Sequence, residues 1–256
     1  MHGVRLVVAY DGTAFAGFQL QLAQRTVQGE LERAAAEMTG HPTRMRSSGR
    51  TDSGVHALGQ VVAFDSAREI PPHGWVRGLN VNLPPDISVQ RAEPCAPGYH
   101  PRFDTIDKTY RYIVSIAAEQ QPLLRERAWH VWRPLDLARI RQAAAHLPGR
   151  HDFRAFAAVD QGRKTTVRRI HSVDVLCPYE GDATQVAIEV RGDAFLKNMV
   201  RIIAGTLVDV GIGRLSPDDI RAMLGSDATR DQAGRTAPAH GLTLVRVTLG
   251  RRDGPR

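Results

Sequence analysis

The sequence predicts an α+β protein built on an antiparallel or mixed sheet. Three observations lead there. Strand-like runs rich in β-branched and aromatic residues recur along the chain, and those at 107–116 and 185–191 alternate cleanly between two faces. Apolar stripes at helical spacing lie between them, over 26–38, 135–147 and 196–210. The connections are short and hairpin-like, which favours strands and helices packed around one antiparallel or mixed sheet.

Taken in order, Val4 to Tyr10 is a strand that Asp11-Gly12-Thr13 ends as a turn. Phe15-Ala-Gly-Phe-Gln19 follows, and it reads equally as an exposed aromatic loop or as a core plug. Thr26 is placed to cap a helix whose buried stripe is Val27, Leu31, Ala34, Ala35 and Met38. A glycine-rich loop, Arg46 to Gly59, leads into the strand Gln60 to Phe64. A short helix around Trp75 to Leu79 and a strand at Ile87 to Gln90 come next. Pro94, Pro97, Gly98 and Pro101 then break every period, which marks a domain boundary: residues 1–103 form one α+β domain and 104–256 another.

In the second half, Tyr110, Tyr112, Val114 and Ile116 share one face of a strand. Leu137, Ile140 and Ala144 give the inward side of a helix, and His151-Asp-Phe-Arg-Ala-Phe156 reads as a structural segment. Strands over 166–176 and 185–191 flank the turn Tyr179 to Asp182. A wide stripe from Leu196 to Val210 is a buried helix ended by Gly211-Ile-Gly213. Ser216-Pro217 opens a further helix, Leu242 to Leu249 is the last strand, and Arg251 to Arg256 reads as a frayed tail.

Composition narrows the partners. The chain has 256 residues, 42% hydrophobic and 24% charged, in the ordinary range of soluble globular proteins. Lys and Arg number 34 against 27 Asp and Glu, a net charge of +7, with a pI near 10.0. Such a surplus favours polyanions through counterion release. Cys95 and Cys177 stand far apart without metal-ligand spacing, so reduced thiols are expected. No signal-peptide pattern opens the chain and no apolar run approaches a membrane span, so a soluble, cytoplasmic protein without membrane partners is expected.

The chemistry concentrates in Gly49-Arg50-Thr51-Asp52-Ser53-Gly54-Val55-His56-Ala57. A lone carboxylate, Asp52, sits between glycines and beside Arg50 and His56, cations suited to keep it ionised and aimed at a substrate. An Asp in a Gly/Ser loop is more commonly a residue that caps its own turn, and composition leaves both readings open. The segment resembles the signature loop of the tRNA pseudouridine synthase A family, GRTDAGVHA, at eight of nine positions, with Ser53 replacing Ala. The likeness extends over essentially the whole chain. Phe15 to Gln21 resembles a family segment that carries Trp where Phe18 stands, which gives the aromatic loop an RNA-facing alternative. His100 to Asp104 resembles the family's joining segment, and Thr236 to Leu242 its lead into the last strand.

The resemblance implies a pseudouridine synthase fold: two α+β, ferredoxin-like domains with joined, mostly antiparallel sheets and a central cleft. It implies that Asp52 is the catalytic residue and that Arg201, in Gly192-Asp-Ala-Phe-Leu-Lys-Asn-Met-Val-Arg201, pairs with it. Tyr110, the first tyrosine of Lys108-Thr-Tyr-Arg-Tyr112, would stack on the target base, although inward tyrosines are more often core. Arg50 would support the carboxylate or the substrate. Arg163, Lys164, Arg168 and Arg169 form a basic cluster that is either solvated or a phosphate-contacting loop. The activity implied is isomerisation of uridine to pseudouridine in the anticodon stem-loop of tRNA, at positions 38 to 40. No cofactor, metal or ATP is implied, and the family is homodimeric. Two other readings stay open at this point. A non-catalytic RNA-binding module would have lost the acid that Asp52 supplies. A metal-dependent nuclease would need Asp11, Asp52 and Asp104 as ligands, without any ligand-spaced motif to support it.

Overall fold

Strand β3 (His56–Ser66) is the spine of the first half, because it follows the Asp52 loop directly and is buried along most of its length. A computed structural model describes residues 1–158 and 165–250. Arg163, Lys164 and the tail from Arg251 lie outside the described residues. The chain is α+β with mostly antiparallel pairing. It divides into two units: Met1–Ile106 together with the chain from Thr243 onward, and Asp107–Leu242. The sequence predicts the last strand in the second domain. The contacts place it in the first unit, beside β3.

In unit 1, β1 (His2–Tyr10) lies antiparallel between β3 and β4 (Ile87–Cys95). The two-residue strand β2 (Arg46–Ser47) pairs with one end of β3, and β10 (Leu242–Leu249) runs parallel to the other end. Helix α1 (Val27–Thr39) lies between β1 and β2, and helix α2 (Pro72–Asn82) between β3 and β4. The order βαββαβ with strands β4-β1-β3-β2 is that of a split βαβ unit. Local signals set α1: Thr26 Oγ1 accepts the Gly29 N–H at 3.2 Å, and Gly40 closes the helix in the left-handed region at φ +78°.

Unit 2 is built on antiparallel β5 (Thr105–Ser115), β9 (Gln185–Gly192), β8 (Val167–Leu176) and β7 (Gly149–Asp152), in that order. The short β6 (Trp129–His130) runs parallel to β5. Helix α3 (Leu137–Ala144) is capped by the Asp136 side chain and packs on α4 (Met199–Gly211), while α5 (Asp219–Ala222) is a single turn. All of α4 except Arg201 is buried. Tyr112, Val114, Val186, Ile188 and Val190 form the core face that the alternation predicted. Phe153 and Phe156 are wholly buried, which agrees with a structural role for their segment. Cys95 and Cys177 are free thiols.

Candidate active site

The Asp52 loop leaves β2 and enters β3, and side chains on both flanks hold its backbone. On the β3 flank, Ser48 N–H donates to Val61 O at 2.9 Å. The wholly buried Gln60 accepts the Ser48 hydroxyl on Oε1 at 2.8 Å and donates from Nε2 to Gly49 O at 3.0 Å. On the β1 flank, the Tyr10 and Thr51 hydroxyls share a 2.8 Å hydrogen bond. Burial pushes the Tyr10 phenol up to about 12, so it stays a neutral hydroxyl across the working pH range.

The segment after β1 completes the grip. Phe18 N–H donates to Thr51 O at 3.1 Å, and the Ser53 hydroxyl donates to Phe15 O at 3.1 Å. Phe15 and Phe18 are 2% and 1% exposed, so this segment is a core plug and not an RNA-facing loop. The approach is close enough to require glycine: a Cβ on Gly12 would lie 2.1 Å from Val55 O. Gly17, at φ +95°, would bring a Cβ within 2.9 Å of Thr51 O. Ser53 therefore adds a bond at a position where alanine would make none.

Asp52 is half-buried, and its carbonyl accepts the Val55 N–H at 3.2 Å, closing a tight turn. Within unit 1, its carboxylate has no hydrogen-bond or ion-pair partner among the described residues, so it is not consumed in capping its own turn. Arg50 is exposed and makes no ion pair with Asp52. His56 corrects the reading of it as a fixed cation. Its buried Nδ1 lies 3.0 Å from Gly12 N and 3.1 Å from Asp11 Oδ1. The amide cannot give up its proton, and Asp11 Oδ1 already accepts the Thr13 N–H and hydroxyl, so Nδ1 is the acceptor. Asp11, Asp52 and Asp104 do not form a metal site: among the described residues, no three His, Cys, Asp or Glu side chains are grouped to hold an ion.

In unit 2, Tyr110 is 9% exposed and meets Phe195 edge-on, with ring centroids 5.1 Å apart at 82°. Phe195 belongs to the same 192–201 segment that carries Arg201, so this segment supports one candidate and bears the other. Arg201 opens α4, with Nε donating to Ala237 O at 2.8 Å and Nη1 to Asn198 Oδ1 at 3.1 Å. These bonds fix a half-buried guanidinium, not the ordinary exposed helix arginine that periodicity alone would allow. Tyr112 is fully buried and donates its hydroxyl to Pro238 O at 2.8 Å; burial raises its phenol, and nearby Arg201 opposes the shift. In the basic cluster, Arg168 Nη1 turns back onto Thr165 O and Val167 O, at 3.2 and 2.7 Å, while Arg169 is exposed. The sequence left Gln60, Tyr10 and Phe195 without roles; only the motif around Phe195 hinted at one.

A sequence profile described as tRNA pseudouridine synthase matches residues 6–104 and 143–248. The tRNA pseudouridine synthase A of Geobacter sulfurreducens is 43% identical over 247 residues, covering 96% of this chain and 99% of that protein. That of Pelobacter propionicus is 46% identical over 248 residues, covering 97% and 100%. That of Bacillus subtilis is 44% identical over 246 residues, covering 95% and 98%. With a catalytic-type loop clamped on both flanks, and likeness at this level along nearly its whole length, the chain belongs to the tRNA pseudouridine synthase family.

Proposed function

We propose that this protein isomerises uridine to pseudouridine in the anticodon stem-loop of tRNA, at positions 38 to 40, with Asp52 as the catalytic residue. The observation that carries the reading is the Asp52 loop itself. Four anchoring bonds to side chains (Gln60 twice, Thr51, Ser53) fix its backbone, while within unit 1 the carboxylate is left uncommitted. A carboxylate held this way costs little reorganisation when it acts.

The reaction breaks the N1–C1′ bond, turns the uracil and joins C5 to C1′. The proton at C5 is lost and N1 gains one, so the sum is an isomerisation that needs no oxidant and no water. A fixed carboxylate suits this chemistry because it can attack or stabilise a cationic sugar carbon, or take a proton from the sugar. Arg201, positioned by Ala237 O and Asn198, is assigned the balancing charge. Tyr110, braced edge-on by Phe195, is assigned the stacking surface for a uracil taken out of its helix. The surplus of positive charge supports binding through phosphates, as expected for RNA recognised by shape. By the same family likeness we assign a cytoplasmic homodimer.

The test is incubation of purified protein with unmodified tRNA transcripts, followed by chemical labelling of pseudouridine. Product at positions 38 to 40 is the expected result. Product elsewhere would reassign the site, and no product would remove the reading.

A further inference from the structure

Unit 2 holds a half-open cavity of about 270 Å³ beside the C-terminal end of β5. Ser115, Gln121, Arg125, Trp129 and Trp132 contribute to its wall. Two of its polar atoms, Ser115 Oγ and Gln121 Oε1, are shut off from water and have no hydrogen-bond partner among the described residues. Ser115 is 2% exposed. Buried polar atoms are ordinarily paired, and leaving one unpaired costs stability, so a water or a ligand group entering the cavity would complete them. Gln121 Oε1 can only accept, which asks for an N–H or O–H; Ser115 Oγ can give or accept.

The other walls specify the shape of that ligand. Trp132 is 82% exposed, yet its ring is propped edge-on by His130, with centroids 6.2 Å apart at 77°. An exposed indole held in a fixed orientation is a stacking platform. Trp129 is wedged against Tyr112 and lies under the Arg235 guanidinium at 6.0 Å. Arg125 stands exposed; its Nε lies 3.8 Å from Glu126 Oε1 and its Nη1 donates to Pro122 O at 3.2 Å, which holds a cation at the cavity mouth where a phosphate could meet it. The volume falls just below the roughly 300–1,000 Å³ of ordinary small-molecule sites, enough for one planar ring but not for a dinucleotide.

We propose that this cavity is a second base-binding subsite, which takes one unpaired tRNA nucleotide other than the uridine being isomerised. The base stacks on Trp132, its polar edge pairs with Gln121 once that half-buried side chain turns into the cavity, and Arg125 meets a neighbouring phosphate. Ser115 stands five residues along β5 from Tyr110, roughly 16 Å at the rise of a strand, so one nucleotide cannot occupy both. The inference rests on the tRNA reading above.

The probes are UMP and AMP, followed by tryptophan fluorescence of the full chain, with inorganic phosphate as control. Trp75 is buried in unit 1 and contributes a constant background. Saturable quenching by the nucleotides but not by phosphate is expected, abolished in Trp132→Ala and weakened in Gln121→Leu. With unmodified tRNA, Trp132→Ala should raise KM about 5- to 100-fold, with the main effect on KM and not on kcat, and Trp132→Phe should recover most of the loss. Because Trp132 is exposed, Trp132→Ala should melt as the wild type does. Unchanged KM together with absent quenching, in a protein that makes pseudouridine, would overturn the subsite alone. Quenching that depends on Trp132, in a protein that makes no pseudouridine, would overturn the tRNA reading and leave a nucleotide site.

Discussion

At the scale of single residues, Asp52 and Tyr110 make separable demands. Asp52→Asn keeps the shape and the Val55 N–H bond to the backbone carbonyl but removes the charge and the nucleophile. Isomerisation should fall below about a tenth of the wild-type rate, with melting temperature and tRNA affinity nearly unchanged. Single-turnover assays beside a binding titration check this, and a variant above that threshold would remove Asp52 from catalysis. Tyr110→Leu fills the apolar space beside Phe195 without offering a flat ring. It should bind tRNA and lose about one to two decades in rate, whereas Tyr110→Phe should keep the stacking. Equal rates in all three proteins would reduce Tyr110 to a core residue.

At the scale of elements, the Asp52 loop depends on neighbours far from it in sequence, and this governs both its stability and how much of it could be read. Gly12→Ala drives a methyl into Val55 O, backbone against backbone, and should cost more activity than any substitution on the outer face of α1. Gln60→Leu removes the hydrogen bonds to the Ser48 hydroxyl and the Gly49 carbonyl and should cost about 1–3 kcal/mol in denaturant unfolding, with a fall in turnover. Nothing in the strand-like run around Gln60 announced these bonds, because both partners lie across a loop. Helix α1 was legible because its stripe and its N-cap, Thr26, are local. Helix α2 runs on through Asn80 to Asn82 where a shorter helix was expected: the Asn80 side chain bonds both N–H and C=O of Val89, a tertiary anchor that no periodicity records. Strand β4 continues through Pro94 to Cys95, five residues beyond expectation, because it is an edge strand where a missing N–H is tolerated. Helix α4 begins at Met199 and not at Leu196, since Asn198 takes a left-handed conformation at φ +60° and interrupts the stripe. Acid should loosen unit 1 through a second long-range tie. The Arg46 guanidinium, 2.7 Å from Asp65, holds that carboxyl below its usual range, helped by the Gly98 N–H. A carboxyl lowered by folding stabilises above its unfolded pKa, near 4, and the contribution is lost as pH falls through the folded value. Urea midpoints should therefore drop between pH 6 and pH 3, and less so in Asp65→Asn.

At the scale of the whole molecule, unit 1 is completed only when β10 returns beside β3, after all of unit 2 has been made. The charge is likewise a property of the whole chain. With a net +7, tRNA affinity should fall steeply with salt, and the slope locates the phosphate contacts. Arg169 is exposed, whereas Arg168 Nη1 is engaged by two backbone carbonyls of its own strand region. Arg169→Ala should therefore flatten the plot of log affinity against log salt by up to about one unit, and Arg168→Ala by less. Arg163 and Lys164, next to them in sequence, are expected to add to the same slope: their double replacement by Ala should weaken all substrate tRNAs about equally, leaving turnover at saturating tRNA near wild type. Arg201→Ala should show the opposite pattern. Its guanidinium is tied to Ala237 O and Asn198, and its proposed work is in the chemical step, so turnover should fall far while the salt slope stays. Titrations of binding and rate at several salt concentrations separate these cases. An unchanged slope in Arg169→Ala and in the double variant would move the RNA path off this cluster, and a flattened slope in Arg201→Ala would make that residue a phosphate contact.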